Sequence, residues 1–256
     1  MLASYLYFCN IKIIYENNYL SIQSVAKRMT PNRKLLLPYF LPYLTYVFIA
    51  SVFGSYLSIE ASYILRIIVV PILIVWAWRW YIPIKGPKNP FVSIVIGIGA
   101  GFIGAFIWIL LLGPFVHLDD NQPWSKLAFI LRLISAGLLV PVFEEFLMRG
   151  YVFRFALQWE DTRKKNKKEA LHIVMDERSI NNVQPGAWSW SAIVLSTAVF
   201  TFGHNLQEWP ASVVFGLLMA WLWILRKDLI ACIVAHSVTN IALAVYIFKT
   251  GNWNLW

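Results

Sequence analysis

Apolar residues in this chain run in long blocks, not at the spacing of a single buried face. Seven blocks stand out, at about 35–57, 63–81, 91–115, 127–157, 188–204, 211–225 and 229–248. Some 20 apolar residues in a helix are enough to cross a bilayer. A helix also satisfies its own backbone hydrogen bonds where no water can. The pattern therefore predicts an all-α fold, a polytopic transmembrane helical bundle of about seven spans. Six or eight are the bracketing counts, because the block at 211–225 is short and that at 127–157 is long enough to tilt, protrude or bend at Pro141.

Composition sharpens this reading. The 256 residues are 59% hydrophobic and 14% charged, against about 25% charge in soluble domains. Too little polar surface remains to solvate a globule. The net charge of +9 would suggest nucleic acid in a soluble protein, but here the cations sit between apolar blocks and read as a topology signal, with no nucleic-acid partner. Lys27, Arg28, Arg33 and Lys34 precede the first block. Arg79, Lys85 and Lys88 follow the second, Arg163, Lys164, Lys165, Lys167 and Lys168 the fourth, and Arg226 and Lys227 the sixth. The alternate connections carry Glu60, Asp119, Asp120 and Glu208. This asymmetry predicts a multi-pass protein of the cell (inner) membrane with a cytoplasmic N-terminus and an outer C-terminus. Arg66 and Arg132 fall on the outer side, near span ends from which they can snorkel. Trp76, Trp78, Trp80, Tyr81, Trp188 and Trp190 lie at block ends, as an aromatic belt requires.

The organisation that follows is an N-terminal cytoplasmic or interfacial segment at 1–34, N-terminal membrane helices at 35–126, a membrane core at 127–248 and a tail at 249–256. Residues 158–187, the one long polar stretch, read as a solvated cytoplasmic loop within that core. The first 28 residues make a poor signal peptide, with no basic start and no clear cleavage site, and no function is assigned to them. Cys9 and Cys232 suggest neither a disulfide framework nor a cysteine metal site. Gly99, Gly101 and Gly104 spell a dinucleotide fingerprint, but inside an apolar block and without a preceding soluble strand. Gly97 and Gly101, four apart, instead predict close packing of two membrane helices.

An ionisable side chain in the hydrocarbon costs about 2.5 to 3.5 kcal/mol on insertion scales, so each one needs a reason. Three segments concentrate such groups. The first holds Glu144, Glu145 and Arg149 behind Pro141. Adjacent helical residues point about 100° apart, so the glutamates face different ways. Arg149 stands four residues after Glu145, the spacing of a helical ion pair. That leaves Glu144 free to face a pocket as a general base or acid. The second segment is Phe200 to His204, at the far end of its span. The third is His236 to Asn240, four apart and so on one helix face. Singly, each also fits a structural role. Together, a carboxylate, two imidazoles and an amide on three helices can converge on one water.

These segments resemble the signature of the CPBP (CAAX protease and bacteriocin-processing, Abi) family of intramembrane proteases. That pattern is two glutamates and, after three further residues, an arginine; then Phe-x-x-x-His; then His-x-x-x-Asn. Here they are Glu144, Glu145 and Arg149, Phe200 and His204, and His236 and Asn240. The resemblance covers roughly 127–248, and the earlier spans faintly resemble a CAAX-protease-related group linked to exosortase sorting systems. It implies an endopeptidase acting near the C-terminus of a peptide or protein substrate in the lipid bilayer. It also implies roles: Glu144 activates water with His204, His236 and Asn240 hold the oxyanion, and Glu145 pairs with Arg149. Two chemistries stay open, a zinc held by Glu144, His204 and His236 with one open position, or a metal-free glutamate–histidine mechanism. Readings from other classes are a proton-coupled transporter, which uses similar intramembrane groups but for which no internal repeat is evident, and a non-catalytic membrane scaffold.

Overall fold

The computed structural model describes residues 30–115, 124–166 and 168–255. The expectations for the first 28 residues, Cys9, Asp119, Asp120 and Lys167 lie outside them. Eight helices position the site. They are α1 (Asn32–Val52), α2 (Ile59–Ala77), α3 (Pro90–Leu112), a 40-residue α4 (Lys126–Lys165), α5 (Ala170–Asp176), α6 (Trp190–Phe202), α7 (Trp209–Arg226) and α8 (Leu229–Thr250). Among the described residues no strand occurs, and six helices are long and apolar enough to cross a membrane: α1 to α4, α7 and α8. The thirteen-residue α6 accompanies them. The chain is a polytopic all-α membrane protein.

Local chemistry marks where several helices begin. Ser58, Ser125, Ser189 and Asp228 each accept the backbone N–H three residues on, and Asn89 accepts that of Phe91 with Pro90 at the first turn. Such caps satisfy N–H groups that the helix cannot pair itself. Pro141 produces no break. Two π-helical stretches, Ser135–Leu139 and Phe146–Val152, bracket the short α-helical turn that carries it and both glutamates. A π turn widens the helix and often marks a functional site.

Two expectations are corrected. The polar stretch at 158–187 is largely structured: α4 continues to Lys165, and α5 and a 3-10 turn at Ile180–Asn182 follow. Its anchor is Asn32, fully buried at the start of α1. The Asn32 amide donates to Gln158 Oε1 (2.7 Å) and Val174 O (2.8 Å), and its Oδ1 accepts from Ile180 N (2.6 Å). The sequence shows only an asparagine beside a proline, so the tie is invisible there. Arg33 adds an ion pair to Asp176, which holds that exposed carboxylate below its usual range. Arg66, in turn, does not snorkel. It is 7% exposed, and its guanidinium lies 3.9 Å from the Tyr63 ring centroid and 4.8 Å from that of Tyr46. Cation–π contact, with hydrogen bonds from the guanidinium to Ser62 O and Oγ at 3.2 Å, compensates the buried charge.

The small-residue stripe of α3 packs on α8. A Cβ added at Gly97 would come within 2.8 Å of Ala231 O, and one at Gly101 within 2.5 Å of Val238 Cβ and 2.7 Å of Ala235 O. At Gly104 it would collide with Thr239 and Phe215. The close approach lets Thr239 donate to Gly101 O at 2.9 Å. Gly99 has open space instead. Gly101→Leu should therefore destabilise the detergent-solubilised protein by about 1 to 3 kcal/mol, the usual cost of overpacking, while Gly99→Leu stays near wild type. Thermal unfolding of the two variants side by side measures this, and equal behaviour would sink the packing account.

Candidate active site

Three helices bring the candidate residues to one cavity of about 200 Å³. From α4 come Glu144, Val140, Ala136 and Arg132, from α8 His236, Asn240 and Leu243, and from the end of α6 Phe200 and His204. Trp108, Glu208, Phe215 and Leu255 complete the wall. Glu144 and His236, 92 residues apart in the sequence, meet here.

Glu145 and Arg149 lie behind this wall, both fully buried. Arg149 Nη1 is 3.2 Å from Glu145 Oε2, and its Nη2 donates to the Gly216 carbonyl of α7 at 3.2 Å. Across the helix pair, His236 Nδ1 is 3.0 Å from Glu145 Oε1. A carboxylate can only accept, so the imidazole donates. The chain Arg149, Glu145, His236 fixes the ring and turns its Nε2 towards the cavity. There it lies 3.8 Å from Glu144 Oε2, close enough to share a water or substrate oxygen. The Glu144 side chain keeps 14% of its surface exposed. Asn240 also lines the cavity, but its amide donates to Ala136 O at 2.7 Å, which uses one of its two N–H groups.

His204 owes its position to a turn. α6 ends at Phe202, and the His204 N–H bonds Thr201 O. Asn205 and Glu208 then form a reciprocal capping box that starts the next helix, and Trp209 Nε1 donates to His204 O at 3.2 Å. The Nδ1 atom lies 2.9 Å from Phe200 O. A carbonyl accepts, so Nδ1 carries the proton and Nε2 of the neutral ring is left as a base or acceptor. The Phe200 ring stands 4.6 Å from that of His204 and 6.1 Å from that of His236. It is the apolar spacer between the two imidazoles.

Sequence reasoning did not single out several site residues. Trp108 packs on His204 with centroids 5.5 Å apart, and Phe215 on His236 at 5.4 Å. Both look like ordinary apolar residues of membrane spans. Tyr43 of α1 sits over the turn, where a Cβ at Gly203 would come within 2.6 Å of its hydroxyl. The signal for Glu208 was present, as Asn205-x-x-Glu208 before an apolar run is a capping-box pattern.

The zinc alternative is tested by the same geometry. Among the described residues, no group of three His, Cys, Asp or Glu is spaced to hold a metal ion. Glu144, His204 and His236 share the cavity, and each imidazole has one nitrogen on a protein acceptor, as metal-bound histidines also do, but the three are not spaced as a ligand set.

Residues 126–242 match the family described as Type II CAAX prenyl endopeptidase Rce1-like. The matched stretch contains all three motif segments, and over it the chain is similar to the CPBP, or CAAX protease, family of membrane-embedded peptidases. No curated protein and no solved structure matches the chain.

Proposed function

We propose that this protein is an intramembrane endopeptidase of the CAAX-prenyl-protease type, which hydrolyses a peptide bond near the C-terminus of a membrane-associated substrate by a glutamate-activated water. The observation that carries the reading is the division of labour between the paired glutamates. Glu145 is consumed by Arg149 and His236, while Glu144 faces the cavity beside an imidazole nitrogen. A structural role for both carboxylates would have paired both.

In this mechanism the water binds between Glu144 and His204 Nε2, both acceptors. Glu144 takes its proton as the oxygen attacks the scissile carbonyl. His236, donating through Nδ1 to Glu145, offers Nε2–H as the imidazolium to the developing oxyanion, and the second N–H of Asn240 adds a donor. Preorganised donors of this kind stabilise the tetrahedral intermediate more than the ground state. Glu144 then returns the proton to the leaving amine. The N-terminus lies in the cytoplasm and the protein in the cell (inner) membrane, as the distribution of Lys and Arg supports.

The test is cleavage of peptides with a free C-terminus, with and without a prenylated cysteine, by protein purified in detergent. Mass spectrometry should find bonds cut within a few residues of the C-terminus, at a rate unchanged by prolonged dialysis against a chelator. Activity lost on dialysis and restored by zinc would overturn the metal-free route. Absence of any cleavage across the set would count against the peptidase reading itself.

A further inference from the structure

We propose that Pro141 and the π turn before it form a seat for Asn240, which makes Pro141 a positioning residue for a donor that meets the oxyanion. The seat itself is hydrogen-bond geometry; its use in catalysis rests on the peptidase reading.

The seat is a backbone carbonyl that the helix ladder leaves unclaimed. In an α-helix Ala136 O would accept the N–H of residue 140, and in a π-helix that of residue 141. Neither arrives. The π turn Ser135–Leu139 hands the Val140 N–H to Ser135 O, and residue 141 is a proline, which has no N–H. A carbonyl left unpaired inside a bundle costs free energy, so it draws a donor from elsewhere. That donor is Asn240 Nδ2 of α8, at 2.7 Å. The residues on either side of Ala136 fit the same arrangement. A Cβ at buried Gly137 would come within 2.8 Å of Ile241 Cγ1, so the missing side chain lets α8 lie close beside Asn240. Ser135, fully buried, donates through its hydroxyl to that of Tyr46 on α1 at 3.1 Å and holds the other side of the turn.

The polarity of the seat decides what the cavity meets. A carbonyl only accepts, so it takes the NH2 of the amide and repels Oδ1. One N–H is bound to Ala136 O, and the second is left for the cavity that Ala136, Glu144, His236 and Asn240 line together. An unseated amide can rotate and present Oδ1, an acceptor, to developing negative charge. A fixed N–H avoids that and needs no reorganisation when the charge appears. The proline three residues before Glu144 thus acts through α8: it removes a backbone donor so that a side-chain donor is held. Glue between two membrane helices would use the same bond but would not require its polarity at the cavity.

The test restores the missing donor. Pro141→Ala lets the helix return to a regular ladder in which a backbone N–H takes Ala136 O. Pro141→Ser restores the same N–H, in case one of the two variants fails to fold. The full chain is assayed in detergent on a peptide that the wild type cleaves. Asn240→Ala should lower kcat by about 10²- to 10³-fold, the usual loss for one oxyanion donor. Pro141→Ala should lower kcat by roughly tenfold, within the range of couplings inside one hydrogen-bond network, and leave KM unchanged. In the Asn240→Ala background it should lower kcat no further. Losses that multiply in the double variant would overturn the proposal, as would wild-type kcat in both proline variants. A second readout needs no activity. In protein isotope-labelled on asparagine nitrogen, nuclear magnetic resonance should show the Asn240 side-chain amide, identified by its loss in Asn240→Ala, with one proton shifted downfield and slow to exchange. Both proline variants should bring its two protons together. An Asn240 signal that they leave unchanged would sink the seat even if hydrolysis slows. That change of signal in a protein that cleaves no peptide would remove the peptidase reading and leave the seat standing.

Discussion

Changing Glu144 to Gln should slow peptide hydrolysis by about 10²- to 10⁴-fold, the usual contribution of a general base, and leave the bundle folded. The substitution keeps shape and volume and removes only the charge and the ability to take a proton. Among the described residues the nearest charged partner of this carboxylate is His236 Nε2 at 3.8 Å, beyond hydrogen-bond distance, and 14% of the side chain is exposed. Its loss strands no buried partner. Matched thermal unfolding curves with a collapsed rate would support the assignment. A Glu144→Gln protein as active as wild type would sink the mechanism. The same exchange at Glu145 has a different expectation. There both rate and stability should fall, because Arg149 and His236 lose the acceptor between them.

Arg149→Met should destabilise the protein by about 3 to 5 kcal/mol, the range for breaking a buried ion pair from one side. The guanidinium and the Glu145 carboxylate are both 0% exposed, and the substitution leaves that carboxylate with His236 as its remaining partner. Arg149→Lys should rescue only part of the loss. An ammonium on a flexible stem can pair with Glu145, but it does not reproduce a planar fork that also reaches Gly216 O. The double variant Glu145→Gln/Arg149→Met should recover much of the stability without recovering activity, since His236 would no longer be oriented. Unfolding in detergent and peptide hydrolysis, measured on the same three preparations, separate these outcomes. Wild-type stability in Arg149→Met would show that the buried pair does not hold the helices together.

The match to the Rce1-like family covers 126–242, yet part of the architecture around the site comes from outside it. α3 supplies the glycine stripe that lets α8 approach, and Trp108 that packs on His204. α1 supplies Asn32, which ties the end of α4 to the segment after it, and Tyr43 above the His204 turn. The N-terminal helices are therefore part of the frame that sets the distance between Glu144 and the two imidazoles.

Much of this was legible in the chain itself. Long unbroken apolar blocks read as membrane helices, because the other fold that hides a backbone from lipid, the closed barrel, uses strands of about ten residues that alternate apolar and polar. The four-residue spacing of Glu145 and Arg149 already implied one face of one helix, and the four-residue glycine spacing implied a close helix neighbour. The three polar segments stood out because each ionisable group in hydrocarbon demands compensation. Tertiary structure alone decided the rest. Which glutamate His236 would bond depended on how α8 rotates against α4, a matter of packing between segments 91 residues apart. That Arg66 would turn inward onto two tyrosines, that Asn32 would anchor a polar segment far along the chain, and that the turn after α6 would bring His204 to the cavity of Glu144 are all consequences of contacts across the bundle. Local pattern reports the face and period of each helix. It carries no record of which neighbour that face will meet, and the chemistry of this site lies in those meetings.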